Sequence, residues 1–433
     1  MSDVLAQEVL AQDVLAQDTT IAARDGYALG ATVFTPQDAP RGAVLINSAT
    51  AVPRKIYRGF ATYLAQQGFT VLTYDYRGTA GSRPPSLRGF KVRMRDWAAL
   101  DVAAAIDHLR GVWPRLPLAV VGHSFGGQAV GLAPNNGEIS RALLVAAQAG
   151  YWRLFHSPEK YRVYLMLRLI GSPVARLVGY MPGRLGIGED LPRDVFLEWT
   201  GWVMRPRYFF DDATLDALAN FPRYRGALRA ICLTDDPWAT AAAVDLLCSG
   251  FTGTRPERID VRPADAGVAK IGHFGFFRPE HRDTLWREAA DWLAGSDELR
   301  RSGALPCGLF TRAAGCRQRP ERWIVRQAER IGRRDADRLP GDEQQRQPRH
   351  AQRQHHEGED RGHHLNRVGP VMIDRLAGDE DQQHECRERP EHRHQDPCRD
   401  RPLRMRRAGE QRQRHDHGDG EQVPRRHQRE EIG

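Results

Sequence analysis

One eleven-residue stretch, Leu118-Ala-Val-Val-Gly-His-Ser-Phe-Gly-Gly-Gln128, constrains the fold more than any other part of the sequence. Its four leading apolar residues, two of them β-branched, predict a strand that is buried on both faces. Glycines then flank Ser124, and the residues from Gln128 onward can begin a helix. A strand, a tight turn centred on a serine and a helix are the setting of a nucleophile elbow. The alternative is an ordinary strand-to-helix turn in which Ser124 caps the helix.

The backbone geometry of an elbow predicts what its residues can do. Strand and helix run so close together that a Cβ at either flanking glycine would clash. The turn holds the serine at strained φ and ψ angles, so its Oγ stands clear of the sheet. The N–H of Phe125 then points to where an oxyanion would form. Ser124 is therefore a candidate nucleophile and Phe125 a candidate oxyanion-hole donor.

The composition divides the 433 residues into three parts. Residues 3–18 repeat a five-residue unit whose period fits neither a heptad nor a helical stripe, so residues 1–18 are predicted to be a disordered leader. Residues 19–297 are rich in Ala, Val, Leu, Trp and Phe and can bury the core of one domain. Residues 298–433 are dominated by Arg, Gln, His, Glu, Asp, Gly and Pro, which cannot bury enough apolar surface to fold.

Three interpretations of the 298–433 tail compete. It can be an extension without fixed structure, a segment that binds metal or RNA through His and Arg, or translation out of frame past the natural end of the domain. The histidines lack the fixed spacing of a metal site. The abrupt change in composition favours the out-of-frame interpretation, because a shifted frame in GC-rich DNA produces Arg, Gln, His and Pro.

The charge and cysteine patterns argue against several classes of function. The net charge of +8 comes almost wholly from arginine with acidic residues interleaved, so a nucleic-acid partner is not expected. The six cysteines show no Cys-x-x-Cys and no regular spacing, which argues against disulfides or structural zinc. No secretory signal and no membrane-spanning apolar run is visible, so the expected location is the cytoplasm.

Strand and helix patterns alternate along residues 43–146 and resume after residue 225. The predicted strands are 43–46, 69–74, 118–121, 141–146, 228–234 and 258–262. The predicted helices are 57–67, 96–110 and 280–294. Upstream, Asp25-Gly26 between two β-prone runs indicates a hairpin. This order predicts a mostly parallel central sheet with helices on both faces. Ligands bind outside the carboxyl ends of such strands, where Ser124 and the 47–52 loop both lie.

Residues 150–225 interrupt this alternation. They are rich in aromatic residues and arginine, and their helical patterns contain no intervening buried strands. We interpret them as an inserted helical cap over the site, with most of the aromatic residues forming the core of the cap itself. Stacking of these aromatic residues on nucleic-acid bases is the less favoured alternative.

Two later stretches supply the partners that a nucleophilic serine needs. Asp235 and Asp236 follow the 228–234 strand, and His273 follows the last predicted strand. Two acids at the carboxyl end of a buried strand are suited to orient a histidine. The order serine, acid, histidine is that of the α/β hydrolases.

On these residues the sequence resembles the α/β-hydrolase superfamily, and most closely a bacterial group of uncharacterised predicted alpha/beta hydrolases. The resemblance runs from about residue 20 to residue 295. The segments that carry it are Thr73–Gly78, Gly122–Gly127, Gly179–Gly183, Asp235–Trp238 and Gly272–Phe277. It implies an α/β-hydrolase fold and a catalytic triad. Ser124 would attack an acyl carbonyl, His273 would transfer the proton and Asp236 would orient the imidazole.

The resemblance leaves two assignments open. Asp236 is preferred because the superfamily places its acid second in such a pair, before a turn that Pro237 would fix. Asp235 is the alternative acid. The His-Gly that commonly follows the third strand of lipases and esterases is replaced here, so the second oxyanion donor would be the N–H of Ala49 or Thr50. His123 is interpreted as structural, because it points away from the serine along the strand.

These residues predict a serine hydrolase, without cofactor or metal, that cleaves a carboxylic ester or thioester of a small-molecule acyl substrate. The reaction would pass through an acyl-enzyme on Ser124. Acyl transfer to an alcohol or amine uses the same triad and stays open, as does a non-enzymatic binding protein on the same fold. The sequence makes no prediction of the oligomeric state.

Overall fold

A computed structural model describes residues 14–295, which form one large sheet covered by helices. The strands are β1 (Val14–Ala22), β2 (Ala28–Pro36), β3 (Gly42–Asn47), β4 (Phe69–Tyr74), β5 (Leu118–His123), β6 (Arg141–Val145), β7 (Tyr180–Met181), β8 (Leu191–Pro192), β9 (Ala227–Leu233) and β10 (Glu257–Val261). The main sheet has the order β1-β2-β4-β3-β5-β6-β9-β10, and only β1 and β2 pair antiparallel to their neighbours. The mostly parallel sheet predicted from the sequence is confirmed.

The parallel register brings the candidate site residues to one edge of the sheet. Strands β3, β4 and β5 are buried along their whole length, which is why they read as continuous apolar runs. Asn47 at the end of β3 lies opposite Gly122, just before the end of β5. His123 lies opposite Val145 at the end of β6. We call this row of strand ends the carboxyl edge.

Helices cover both faces of the sheet. They are Arg58–Gln66, Met94–Asp96, Trp97–Val102, Ala103–Val112, Phe125–Leu132, Ala241–Cys248, Gly272–Gly275, Arg282–Trp286 and Arg287–Leu293. The 94–112 and 282–293 helices each contain a π-helical segment, at Trp97–Val102 and Arg282–Trp286. Large aromatic side chains such as Phe60, Trp97 and Trp286 are fully buried and fill the space between helices and sheet. The three helices predicted from apolar periodicity are all present.

The insertion between β6 and β9 forms the predicted cap, and it is mainly helical. Its helices and turns are Trp152–Leu154, Glu159–Tyr164, Leu165–Gly171, Ser172–Val178, Gly183–Leu185, Arg193–Val203, Tyr208–Asp211 and Asp216–Arg223. Phe196, Trp202, Tyr208 and Phe209 are buried and make an aromatic core. The expectation of no strands in this region was wrong, since β7 and β8 pair as a separate two-stranded sheet. Strands of two residues are too short to produce an alternating pattern.

The disordered leader predicted for residues 1–18 was wrong over its last five residues. Strand β1 begins at Val14 and pairs with β2 along its whole length, which confirms the predicted hairpin. Most of β1 is exposed, so it lacks the alternation that marks a half-buried strand. The Thr32 hydroxyl also donates to the carboxylate of Asp18 at 2.6 Å. Residues 1–13 and the 298–433 tail lie outside the described residues.

Candidate active site

The elbow forms where β5 meets the helix Phe125–Leu132, with Ser124 as the single residue between them. Ser124 has φ 52° and ψ −115°, a conformation that non-glycine residues rarely adopt and that costs free energy. Its N–H donates to the Val145 carbonyl at 3.0 Å, which fixes the turn on β6. Ser124 as a whole is 8% exposed.

The two flanking glycines leave no room for a side chain. A Cβ on Gly126 would collide with the carbonyl of Asn47, and a Cβ on Gly122 would lie 2.5 Å from the Cα of Gly127. The Asn47 amide also donates to the Gly126 carbonyl at 3.3 Å. The end of β3 is therefore held directly against the start of the elbow helix.

His273 lies in the short helix Gly272–Gly275 after β10, and its ring meets Asp236 after β9. The Nδ1 of His273 and the Oδ2 of Asp236 are 2.6 Å apart. The other carboxylate oxygen accepts the N–H groups of Trp238 at 2.8 Å and Ala239 at 3.1 Å. A carboxylate on Nδ1 keeps the proton of a neutral imidazole there, so Nε2 carries the free lone pair.

The environment of Asp236 favours the ionised carboxylate. Burial by itself would raise the pKa of Asp236, but the charge of His273 and its hydrogen bond act in the opposite direction, as do the two N–H donors. The net effect lowers the pKa of Asp236 below its usual value. The carboxylate therefore stays charged at neutral pH and is held in one orientation.

Asp235 performs a different task from its neighbour. Its carboxylate accepts the N–H of Ile271 at 2.8 Å and the N–H of Gly272 at 3.0 Å. These bonds hold the segment that leads into His273. The structure thus brings Asp236 to the ring of His273 and Asp235 to the preceding main chain.

The loop after β3 carries the candidate oxyanion donors. The N–H of Ala49 donates to the Tyr57 hydroxyl at 2.9 Å, so it is already engaged. The next N–H, of Thr50, has no acceptor among residues 14–295. Phe125 is the first residue of the elbow helix, where an N–H has no partner within the helix. Of the three donors considered from the sequence, Phe125 and Thr50 remain available to a ligand.

His123 makes contacts that sequence reasoning missed. Its side chain is fully buried, with Nδ1 2.8 Å from the Tyr57 hydroxyl and Nε2 2.9 Å from the carbonyl oxygen of His273. Burial and the nearby charge of His273 lower the pKa of His123 to about 3, so this histidine is neutral. Tyr57 and His273 are 66 and 150 residues away in the chain, and no local pattern signals such contacts.

The sequence is similar to known hydrolases. Residues 38–180 match the family model described as serine aminopeptidase, S33. A curated monoacylglycerol lipase from Mycolicibacterium smegmatis is 34% identical over 100 residues, which is 23% of this chain and 34% of the lipase. The matched stretch thus spans about a third of that relative's length. The chain belongs to the α/β-hydrolase superfamily.

Solved structures similar to this α/β hydrolase include two from bacteria. An esterase from Exiguobacterium antarcticum has 15% identity and a TM-score of 0.43, and the match covers 64% of this chain and 99% of that one. The ferulic-acid-bound Est1E of Butyrivibrio proteoclasticus has 14% identity and a TM-score of 0.44, covering 66% and 99%.

The cap of this α/β hydrolase is joined to the wall of the site through Trp238. The indole ring packs edge-on against the His273 ring, with 4.8 Å between centroids. Its Nε1–H donates at 2.6 Å to the carboxylate of Glu159, the first residue of a cap helix. Pro237 accepts the N–H of His156 from the same part of the cap at 2.9 Å. The acid loop therefore carries both the partner of His273 and the attachment of the cap.

Residues 14–295 contain no group of three or more His, Cys, Asp or Glu side chains placed to hold a metal ion. Within the same residues, no helix combines the length and apolar character that crossing a bilayer requires.

Proposed function

We propose that this α/β hydrolase is a serine esterase that cleaves a carboxylic ester or thioester of a small-molecule acyl substrate. The observation that carries the proposal is the 2.6 Å contact between His273 and Asp236. It leaves Nε2 of His273 as the proton acceptor, while the strained φ of 52° sets Ser124 out from the end of β5. Membership of the superfamily and the match to a monoacylglycerol lipase support ester chemistry.

The first half of the reaction forms an acyl-enzyme. Ser124 Oγ attacks the carbonyl carbon while Nε2 of His273 takes the hydroxyl proton. The negative charge on the former carbonyl oxygen is stabilised by the N–H groups of Phe125 and Thr50. Collapse of the tetrahedral intermediate breaks the bond to the alcohol or thiol, which leaves with the proton from His273.

The second half returns the enzyme to its starting state. Water attacks the acyl-enzyme and gives a proton to His273, and the collapse of the second intermediate returns that proton to Ser124 as the carboxylic acid leaves. Asp236 stabilises the imidazolium in both halves without itself being protonated. Its lowered pKa suits this role, since the carboxylate must stay ionised while the imidazole gains charge.

Ester hydrolysis by purified protein tests the proposal. The substrates are p-nitrophenyl acetate, butyrate and octanoate, with an acyl thioester for comparison. Replacing Ser124→Ala removes the nucleophile, and the expected loss in kcat is on the order of a million-fold. The matched control is Ser86→Ala, an exposed serine whose hydroxyl accepts the N–H of Arg88. Wild-type turnover by Ser124→Ala would contradict the proposal.

A further inference from the structure

A chain of hydrogen bonds connects the loop after β3 to the main chain of His273. Ala49 N–H meets the Tyr57 hydroxyl at 2.9 Å, this hydroxyl meets His123 Nδ1 at 2.8 Å, and His123 Nε2 meets the His273 carbonyl at 2.9 Å. Neither Tyr57 nor His123 belongs to the proposed triad. Both nevertheless lie between two parts of the site that have to keep a fixed distance.

For a neutral His123, only one arrangement of protons satisfies all three bonds. The His273 carbonyl can only accept, so Nε2 of His123 carries the proton and donates to it. A neutral His123 then has its lone pair on Nδ1 and accepts the hydroxyl proton of Tyr57. The Tyr57 oxygen in turn accepts the N–H of Ala49. The chain is therefore directed from Ala49 to His273, and each donor is used once.

The chain is shielded from water. Tyr57 and His123 are both fully buried, and Ala49 is 3% exposed. The ring of Phe277 packs on both side chains, with centroids 4.8 Å from Tyr57 and 4.9 Å from His123. Hydrogen bonds without competing water hold their geometry, and each is costly to lose because the partner stays buried.

The position of His123 in the polypeptide, next to Ser124, gives these hydrogen bonds a catalytic consequence. It is the last residue of β5 and is covalently joined to Ser124. Its side chain is bonded to the main chain of His273, whose ring is held by Asp236. His273 is thus fixed at two points: its main chain by His123, which is joined to Ser124, and its ring by Asp236.

We propose that Tyr57 and His123 are positioning residues for the proposed esterase reaction, which this inference takes as its starting point. His123 fixes the main chain of His273 relative to Ser124. Tyr57 keeps His123 in the required tautomer and holds the N–H of Ala49 away from the substrate. The second oxyanion donor is consequently Thr50.

Variants of His123 test its bond to the His273 carbonyl apart from its bond to the Tyr57 hydroxyl. In Gln the amide reaches the position of Nε2 and can still donate to the His273 carbonyl, whereas in Asn it reaches only the position of Nδ1. We expect His123→Asn to lower kcat for p-nitrophenyl butyrate by about 10-fold with KM changed less than about 2-fold, because misplacement acts on the transition state. His123→Gln should keep more of the wild-type kcat than His123→Asn.

Tyr57→Phe removes the hydroxyl and leaves the rest of the ring in place. The N–H of Ala49 and Nδ1 of His123 then lose their partner. We expect a loss in kcat of about 10-fold, again with little change in KM. The double variant Tyr57→Phe/His123→Asn should lose no more than about the larger single effect, since both changes break one connected chain.

The control separates positioning from packing. Phe60→Leu perturbs the neighbouring rings of Phe276 and Phe277 and makes no hydrogen bond in the chain. Its melting temperature should fall while its kcat stays within about 2-fold of wild type. If Phe60→Leu and His123→Asn lose kcat in the same proportion to the fall in their melting temperatures, His123 serves packing alone and the inference is overturned.

A fluorophosphonate probe distinguishes failure of this inference from failure of the proposed function. Wild-type protein that forms no adduct on Ser124 contradicts the proposed function itself. If the wild type forms the adduct, Tyr57→Phe and His123→Asn should form it too, but about 10-fold more slowly. Labelling rates and kcat equal to those of the wild type in both variants would overturn the inference and leave the proposed function in place.

Discussion

The carboxyl edge of the sheet and the outer helices of the cap use their side chains in opposite ways. At the edge, Ser124, Asp236 and His273 are 8%, 0% and 7% exposed, and Asp236 and His273 are hydrogen-bonded to each other. On the cap helices between 159 and 178, large apolar side chains face outward. They are Tyr161, Leu165, Leu169, Ile170 and Leu177, with exposures between 40% and 87%. Substitutions at the edge should therefore lower catalytic activity far more than substitutions on these cap helices.

The largest expected effect is on kcat, and it distinguishes Asp236 from the adjacent Asp235. Asp236→Asn removes the carboxylate that holds the tautomer of His273, and we expect kcat to fall roughly 10,000-fold, as when the acid of a serine protease triad is replaced. Asp235→Asn leaves that contact intact and weakens only the bonds to Ile271 and Gly272. Its kcat should fall at most about 10-fold.

Kinetics of the two variants on p-nitrophenyl butyrate provide the measurement, and circular dichroism verifies that both are folded. The assignment of the acid is contradicted by the reverse ranking, with Asp235→Asn losing far more activity than Asp236→Asn.

The second prediction compares the stability effects of substituting a glycine at the edge and a glycine in the cap. Gly126→Ala forces a Cβ into the Asn47 carbonyl, and the free energy of unfolding should fall by about 3 kcal/mol or more, since main chain cannot move aside cheaply. Gly201, in the cap helix Arg193–Val203, has nothing within 4 Å of an added Cβ. Gly201→Ala should raise stability by roughly 0.5–1 kcal/mol, because alanine favours a helix.

Urea unfolding of both variants measures the difference. Equal free energies of unfolding for the two would mean that the close approach of β3 and the elbow helix is not a constraint on the fold.

The third prediction concerns pH and uses the burial of His123. Its pKa is lowered from 6.5 to about 3 in the folded protein. Between these values the unfolded chain binds a proton that the folded chain does not. The free energy of unfolding therefore decreases as the pH falls from about 6.5 towards 3. Above pH 6.5 His123 is neutral in both states, so its titration does not change the stability. Between pH 6 and pH 4 the free energy of unfolding of His123→Gln should fall less steeply than that of the wild type, by about 1.4 kcal/mol per pH unit.

Urea unfolding of wild type and His123→Gln at several pH values isolates this contribution, since the other titrating groups are common to both proteins. Parallel curves for the two would mean that His123 takes up a proton in the folded state about as readily as in the unfolded chain.

Much of the fold could be predicted from the sequence because its signals are local. The apolar run from Leu118 is a buried strand, and the glycines around Ser124 mark the elbow that follows it. The first part of β1, residues 14–18, could not be predicted, since its pairing with β2 rather than its own pattern defines it.

The candidate site shows the same limit at the level of single contacts. The order of Ser124, Asp236 and His273 along the chain is visible in the sequence. The contacts of His123 are not, because they depend on how β5, the helical turn Arg54–Tyr57 and the segment after β10 meet in space. The separate tasks of Asp235 and Asp236 likewise require the position of each carboxylate, which one residue of spacing does not determine.

The central claim is that Ser124 is an activated nucleophile, and fluorophosphonate labelling with the modified peptide mapped by mass spectrometry tests it most directly. The proposal predicts a single adduct on Ser124 that is absent from Ser124→Ala and strongly slowed in His273→Ala. Folded wild-type protein that forms no adduct, or an adduct that persists in Ser124→Ala, would contradict it.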